Sequence, residues 1–216
     1  MNQNSVSFPC GDLKLEGLCY FPDGDGHSGV VLCHPHPLYG GSMDNNVILA
    51  VASALVNRSI VALMFNFRGV GRSQGSFGDG IDEQQDVAAA LSWLGSQPQA
   101  DPKKLGLMGY SFGAAVALPV ACKDDRVKAL ALISLPVDPV QVQEIKHCAK
   151  PKLLVFGGRG LFVPRDKAEE IHRAAAEPKQ LELVPGADHF WGGFEKELAG
   201  KVAEFFAASF NHSRPI

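Results

Sequence analysis

The sequence has no excess of charge of either sign. Its 216 residues include 20 lysines and arginines against 23 aspartates and glutamates, for a net charge of −3 at pH 7. A surface that binds nucleic acid needs clustered positive charge to neutralise phosphates. Neither end of the chain concentrates charge into a docking arm. We therefore expect no nucleic-acid partner.

Cysteine is scarce, and its spacing shows no pairs. No C-x-x-C motif is present, and the number of cysteines is odd, whereas disulfide frameworks and structural zinc sites need paired spacings. We therefore expect reduced, mostly structural thiols of the kind found in cytoplasmic proteins. The cysteines are Cys10, Cys19, Cys33, Cys122 and Cys148.

Long hydrophobic runs are also missing. No apolar run approaches the ~18 residues of a membrane-spanning helix. The opening MNQNSVSFPCGD contains neither the positive n-region nor the apolar h-region of a signal peptide. No repeat, linker or low-complexity stretch divides the chain. We expect one domain over residues 1–216, no membrane partner and a cytoplasmic location.

What the sequence does contain is a regular alternation of strand-like and helix-like segments. The stretch SVSFPCGDLKLEGLCYF alternates around a Cys-Gly-Asp turn and predicts an antiparallel hairpin. Apolar runs that predict buried strands follow at 29–33, 60–65, 105–108, 129–135, 153–156 and 180–184. Helical periodicity appears at Met43–Arg58 (capped by Asp44 or Asn45), Ile81–Leu94, Phe112–Cys122, Gln141–Cys148, Arg165–Ala176 and Glu195–Phe210.

This alternation predicts an α/β fold. Strands that are apolar throughout, each followed by a helix, are typical of a mostly parallel sheet with helices on both faces. In such sheets ligands bind at the carboxyl ends of the strands. We therefore expect functional residues directly after strands.

The clearest chemical motif is Gly109-Tyr110-Ser111-Phe112-Gly113, which lies between a predicted strand and a predicted helix. This is the context that a G-x-S-x-G nucleophile elbow requires. The turn raises the serine hydroxyl above the sheet, and the helix that follows directs its N–H groups toward a developing oxyanion. The motif predicts Ser111 as a nucleophile.

A serine hydroxyl needs a general base, and in this architecture the histidine follows the serine and the acid in chain order. Of the seven histidines, His189 lies in VPGADHFWGG, between the last predicted strand and the last predicted helix. Its order and its placement both favour His189 as the base.

An oxyanion hole takes one N–H from the residue after the nucleophile, here Phe112, and one from the loop after an early strand. That loop reads HPHPLYGG from His34 to Gly41, and its prolines have no N–H to donate. The remaining donors are His36, Leu38 and Tyr39, and we take His36 as the first candidate. His34 and His36 could instead ligate a metal. No nearby Asp, Glu or Cys completes such a site, so we expect no metal.

Four motifs in this order, HPHPLYGGSMDN, FNFRGVGRSQG, GYSFG and GADHF, resemble those of the small lidless bacterial serine hydrolases of the α/β-hydrolase superfamily, a group related to dienelactone hydrolases. The resemblance covers nearly the whole chain. It implies an eight-stranded sheet, a Ser-Asp-His triad, no metal or organic cofactor, and activity on small esters. Dienelactone hydrolases use a cysteine nucleophile, so Ser111 moves the expectation toward carboxylester hydrolysis.

The acid of the triad is the departure from this resemblance. Family members typically read G-x-x-D-x-x-V-P after the strand at 153–156, and this chain has Gly160 at the position of the aspartate. Loss of the triad acid can lower kcat by ~10⁴. The acid could be Asp138, which follows the preceding strand, or Asp166, which reads more naturally as the start of a helix; otherwise it is absent. We take Asp138 as the first candidate and set aside Asp188, beside His189.

The open end of the sheet should hold the substrate. No insertion is long enough for a large lid, which favours small soluble esters with short acyl chains. Two alternatives stay open: a catalytically impaired hydrolase fold that binds a small carbonyl ligand, and an acyltransferase. Whether the protein forms a homodimer also stays open. The residues that we expect to contact substrate are Leu38, Tyr39, Tyr110, Phe162 and Trp191.

Overall fold

A computed structural model of the protein describes residues 2–160 and 162–211. Its centre is a twisted sheet of eight strands in the order β1-β2-β4-β3-β5-β6-β7-β8. The strands are β1 (Asn2–Cys10), β2 (Leu13–Phe21), β3 (His27–Cys33), β4 (Val61–Phe65), β5 (Ala100–Tyr110), β6 (Val127–Ile133), β7 (Lys152–Gly157) and β8 (Lys179–Val184).

The sheet is antiparallel only at its N-terminal edge. β1 and β2 form the predicted hairpin, and β2 pairs antiparallel with β4. Every pairing from β4 through β3 to β8 is parallel. Parallel strands need crossover connections, and the alternation of apolar and helical segments supplies them. The fold predicted from the sequence is confirmed.

Within residues 2–160 and 162–211, six helices cover the two faces of the sheet. α1 and α6 pack on one face, in the cluster that includes Val51 and Val202, and α2 to α5 pack on the other, with Leu91, Ala117 and Ile171. The helices are α1 (Asn46–Val56), α2 (Glu83–Gly95), α3 (Phe112–Lys123), α4 (Pro139–His147), α5 (Arg165–Ala174) and α6 (Glu195–Asn211).

Helix starts follow local chemistry, and β5 is the strand that differs most from its predicted bounds. Asn45, one of the two expected caps, accepts a hydrogen bond from Val47 N at 3.0 Å. β5 begins at Ala100, five residues before the predicted start at Leu105, because Ala100 pairs with His27 of the neighbouring strand. The intervening Asp-Pro-Lys-Lys is polar and hides this extension from an analysis of hydrophobic periodicity.

The connections between the described strands contain only these helices, one 3-10 turn (Pro37–Tyr39) and short loops, without a lid. All five cysteine thiols are free, as expected. None of the described helices is long and apolar enough to cross a bilayer. The carboxyl ends of β3 to β8 therefore open directly onto the surface at one edge of the sheet.

Candidate active site

Ser111 lies at the sharp turn between β5 and α3. Its backbone is in a left-handed conformation, with φ at 54° and ψ at −117°, and its N–H donates to Ile133 O on β6 at 2.8 Å. A non-glycine residue in this region is strained, and such strain concentrates at functional sites. The strand, turn and helix required by the G-x-S-x-G motif are all present.

The two glycines of the motif are needed because the backbones around the turn are too close for side chains. A Cβ at Gly109 would lie 2.3 Å from Gly113 O, and a Cβ at Gly113 would lie 2.2 Å from Cys33 O. Both contacts are with backbone atoms, which cannot move independently of the sheet. The glycines thus allow α3 to start beside β3 and place Ser111 above the sheet.

His189 lies in the loop after β8, with its Nε2 3.1 Å from Ser111 Oγ. The loop is held at two points. Tyr110 donates from its hydroxyl to His189 O at 2.7 Å, and Asp188 Oδ1 accepts from Phe190 N at 2.8 Å and from Trp191 N at 3.2 Å. The imidazole is therefore positioned by backbone anchors on both sides of it.

The surroundings of His189 favour its neutral form. Partial burial lowers the pKa of His189 below its usual value of 6.5, and the negative charge of Asp188 opposes this effect only in part. A neutral imidazole with Nε2 facing Ser111 accepts a proton from the hydroxyl. This arrangement suits a general base at neutral pH.

The hydrogen bonds of the HPHPLYGG loop narrow the choice of oxyanion donors. Leu38 N donates to His36 Nδ1 at 3.2 Å, and Tyr39 N donates to His36 O at 3.1 Å. Among the described hydrogen bonds, none uses His36 N. Phe112 is the first residue of α3, so its N–H has no partner within the helix. The N–H groups of Phe112 and His36 therefore remain as the donor pair.

His34 has a structural role. It is fully buried; its Nδ1 lies 2.7 Å from Pro35 O, and its Nε2 accepts from Phe67 N at 3.1 Å. Burial lowers the pKa of His34 to about 4. Both ring nitrogens thus serve the backbone, and a neutral His34 joins the ends of β3 and β4.

The candidate acid Asp138 lies elsewhere than expected. Its Oδ1 accepts from Val140 N at 2.8 Å and from Gln141 N at 3.2 Å, which makes it the N-cap of α4. The side chain is exposed at the rim of the cleft. No hydrogen bond joins it to His189 among the described residues. The expectation that Asp138 orients the imidazole is therefore wrong for this conformation, because the helix start that follows directly binds the carboxylate.

The other carboxylates also have different positions. Asp166 lies exposed in the first turn of α5, as its sequence context indicates. Asp188 binds the backbone of its own loop. Gly160, at the expected acid position, has a φ of 59°. In the parts of the chain that the structure describes, no carboxylate hydrogen bonds to His189.

An open cleft of about 800 Å³ surrounds Ser111 and His189. Aromatic rings form both of its walls. On one wall the His36 and Phe112 rings lie 4.9 Å apart between centroids, and on the other the Phe162 ring lies 4.7 Å from the His189 imidazole. Asp138 is the single charged side chain among the described lining residues.

Two of the residues expected to contact substrate lie away from the cleft lining. Trp191 is 0% exposed and packs in the core with α6, so its assignment to the substrate site is wrong. Leu38 points into solvent and is not among the described lining residues, whereas Tyr39, Tyr110 and Phe162 line the cleft. An aromatic or apolar residue in a loop does not reveal from sequence which side of the loop it will occupy.

Ser134 was not identified from the sequence. It directly follows β6, is 2% exposed, has a φ of 47° and accepts a hydrogen bond from Trp191 Nε1 at 3.1 Å. It lines the cleft together with His189. Its position directly after a buried strand at the carboxyl edge of the sheet was the available signal.

The FNFRGVGRS motif stabilises the loops around the site. Asn66 Oδ1 accepts from Met43 N at 2.8 Å, which joins the loop after β4 to the chain entering α1. Arg68 is buried and pairs with Asp86 at 2.8 Å. Asn66 and Arg68 of the motif therefore have structural roles.

Comparison with known proteins places the chain among α/β serine hydrolases. Residues 13–186 match the model of a family described as X-Pro dipeptidyl-peptidase (S15 family). An uncharacterized protein of Rickettsia prowazekii is 30% identical over 183 residues, which cover 81% of this chain and 76% of that protein.

Two solved structures are similar over nearly their whole length. An α/β serine hydrolase homologue from Coxiella burnetii is 31% identical, with a TM-score of 0.85 over 94% of this chain and 97% of that one. A lidless α/β serine hydrolase from Xanthomonas campestris is 27% identical, with a TM-score of 0.84 over 100% and 98%. The resemblance to small lidless serine hydrolases is confirmed, while the relation to dienelactone hydrolases stays a prediction.

Proposed function

The chain belongs to the X-Pro dipeptidyl-peptidase (S15) family and has the fold of the α/β serine hydrolases, and within that class of hydrolases we propose that it is a carboxylesterase. It hydrolyses small esters with short acyl chains through an acyl-enzyme on Ser111. The distance of 3.1 Å between His189 Nε2 and Ser111 Oγ, on a strained elbow, carries the proposal.

In the first half of the reaction Ser111 Oγ attacks the ester carbonyl. His189 Nε2 takes the hydroxyl proton, and the carbonyl oxygen becomes an oxyanion that accepts hydrogen bonds from Phe112 N–H and His36 N–H. One such donor typically contributes a factor of about 10²–10³ in kcat. His189 then donates its proton to the leaving alkoxide, the alcohol departs, and the acyl group stays on Ser111.

In the second half water replaces the alcohol. His189 Nε2 takes a proton from this water, the hydroxide attacks the acyl carbonyl, and the same two N–H groups hold the second oxyanion. Collapse of the intermediate returns the proton to Ser111 Oγ and releases the carboxylic acid. Both halves need a neutral imidazole, which burial favours.

The cleft supports esters over amides. The amine of an amide leaves only after the imidazolium has protonated it, whereas the alkoxide of an ester is a better leaving group and depends less on this proton. Without a carboxylate on His189 among the described residues, the site suits the easier leaving group. The open cleft with its aromatic walls suits a short acyl chain or an aromatic ring, and its described lining residues form no enclosed channel for a long lipid chain.

The test is hydrolysis of 4-nitrophenyl acetate and of ethyl acetate by the protein and by Ser111→Ala and His189→Gln. We expect both variants to lose at least about 10³ in kcat, because nucleophile and base act as a unit. Ser5→Ala, in an exposed part of β1, is the matched control and should retain full activity.

Labelling by a fluorophosphonate is the companion measurement. Rapid labelling confined to Ser111 supports the esterase proposal. Labelling no faster than that of free serine would contradict it and favour the binding of a small carbonyl ligand. Product analysis with added alcohol separates hydrolysis from acyl transfer, since a transferase would form the new ester.

A further inference from the structure

A small cavity adjoins the cleft behind His189. We call it the alcove, and its walls include Ser134, Gly160, Phe162 and His189. Three of these residues, Ser134, Phe162 and His189, also line the cleft, so the alcove opens toward the substrate. It has room for about one water-sized group.

Gly160 forms part of the wall of this space. Its φ of 59° is a conformation that most side chains avoid. A Cβ there would lie 3.2 Å from Pro164 Cα, which is tight but short of a clash. An aspartate or asparagine at position 160 could adopt this backbone conformation, since these two residues are enriched in the left-handed region.

Two hydrogen-bond donors border the alcove. When His189 Nε2 accepts from Ser111, the ring proton is on Nδ1, and no hydrogen bond from Nδ1 is present within residues 2–160 and 162–211. Ser134 accepts from Trp191 Nε1 at 3.1 Å and keeps its own hydroxyl proton for donation. Ser134 is 2% exposed, so water competes poorly for that proton. Two donors beside a space of this size suit one negatively charged oxygen atom.

We propose that the alcove binds a small carboxylate, such as formate, which accepts hydrogen bonds from His189 Nδ1–H and Ser134 O–H. One carboxylate oxygen enters the alcove, and the remaining atoms stay at its mouth in the cleft. The bound anion holds the imidazole in the productive tautomer and stabilises the imidazolium, as a triad acid does. No bond forms or breaks at the anion. This inference rests on the proposed esterase function.

The electrostatics of the surroundings allow such a ligand. Two negative charges lie near the proposed ligand: Asp138, the single charged side chain of the described cleft lining, and Asp188, whose charge reaches His189. Solvent screens the repulsion from the exposed Asp138, and Asp188 Oδ1 accepts hydrogen bonds from Phe190 N and Trp191 N. The walls limit size, because Phe162 lies 4.7 Å from the imidazole between ring centroids. Formate should therefore bind better than acetate, and butyrate should bind poorly.

The first experiment titrates sodium formate into the hydrolysis of a neutral ester, with sodium chloride replaced to hold ionic strength constant. We expect a saturable rise in kcat of about tenfold or more with little change in KM, because the anion acts on His189 and does not contact the substrate. Chloride alone should have no such effect. An equal response to chloride, or none to formate, would overturn the proposal.

The second experiment compares Gly160→Asp with Gly160→Asn, two variants of nearly equal shape. Gly160→Asp should raise kcat on the order of a hundredfold over Gly160→Asn, within the ~10⁴ that a triad acid can contribute. It should also abolish the response to formate, because its own carboxylate takes the site. Ser134→Ala should raise the formate concentration at half-saturation. Equal rates for the two Gly160 variants would count against the alcove as an anion site.

Ser111→Ala in each assay keeps the two proposals distinct. Hydrolysis that depends on Ser111 but ignores formate contradicts the alcove alone. If no hydrolysis depends on Ser111, formate binding is tested by comparing the melting temperature of the protein in sodium formate with that in sodium chloride. A rise for the wild type and none for Gly160→Asp supports the carboxylate site, and no rise in either overturns it.

Discussion

The loops after β5 and β7 begin alike and end differently. Both follow a buried strand at the same edge of the sheet, and both contain a left-handed residue, Ser111 with φ of 54° and Gly160 with φ of 59°. In the first loop the strained residue carries the reactive group, and close backbone packing holds it. In the second a similar positive φ falls on a glycine, which adopts it without strain. Backbone strain therefore coincides with a reactive side chain at Ser111, whereas Gly160 has neither.

The backbone is also packed more tightly around the loop after β5 than around the loop after β7. A side chain at Gly113 would contact Cys33 O at 2.2 Å, whereas one at Gly160 would contact Pro164 Cα at 3.2 Å. The backbone packing at the elbow leaves no room for a side chain at Gly113, whereas the loop after β7 has room for a Cβ at Gly160 with a small shift. A substitution at Gly160 should therefore disturb the fold less than one at Gly113.

The largest expected effect comes from Gly113→Ala. Its Cβ would require β3 and α3 to move apart, so we expect a loss of at least about 10² in kcat and a free energy of unfolding lower by several kcal/mol. Ester hydrolysis and urea denaturation measure the two effects. Gly200→Ala, in α6 with open space around it, is the control and should leave both unchanged or stabilise the helix slightly. A fully active Gly113→Ala variant would remove the contrast between the loops.

The second prediction concerns the pH dependence of the reaction at Ser111, which His189 controls. Burial lowers the pKa of His189 below 6.5, so the base is neutral and active above that pKa and is lost by protonation as the pH falls through it. The rate of fluorophosphonate labelling from about pH 5 to about pH 9 should fall about tenfold per pH unit on its acid side. Its midpoint should lie below 6.5. A midpoint above that value would contradict the prediction and mean that negative charge near the ring outweighs the effect of burial.

The third prediction is that Gly160→Ala destabilises the protein modestly. A left-handed alanine costs roughly 1–2 kcal/mol, and the contact with Pro164 is tight without being a clash. Chemical denaturation should therefore show a loss of that size, well below that of Gly113→Ala. A loss as large as that of Gly113→Ala would show that the two loops are equally constrained.

The smallest effect is expected at Asp138. Asp138→Ala removes the N-cap of α4 and should lower the free energy of unfolding by about 1 kcal/mol, while Asp138→Asn keeps a capping oxygen and should lower it less. Ester hydrolysis should change by less than about threefold in both variants, because the carboxylate binds the helix and not His189. A hundredfold loss in Asp138→Asn, with stability retained, would restore Asp138 as the acid.

Local patterns in the sequence were sufficient for much of the site. The glycines around Ser111, the turn and the start of the following helix all lie within five residues, so the motif itself predicts the elbow. His189 was found from its order and from its place between β8 and α6. The donor pair was narrowed by the prolines of HPHPLYGG, and the hydrogen bonds of Leu38 and Tyr39 then favoured His36.

The misplaced residues share one cause. Trp191, Leu38 and Asp138 each lie in a loop, where neither a period of two nor one of 3.6 residues tells which side a residue faces. Trp191 packs in the core with α6 and donates from Nε1 to Ser134, and the Asp138 carboxylate caps the start of α4. Ser134 was missed because a single serine after a strand has no distinguishing neighbours.

The sequence by itself determined the alternation of strands and helices along the chain, the mostly parallel sheet and the placement of Ser111 and His189 after their strands, because hydrophobic periodicity and turn chemistry are properties of neighbouring residues. Only the tertiary structure decided that no carboxylate of the described residues hydrogen bonds to His189 and that Ser134 and Gly160 line a small space beside it. Those distances join residues far apart in the chain. They depend on the register of β6, β7 and β8 and on how each connecting loop satisfies its own backbone.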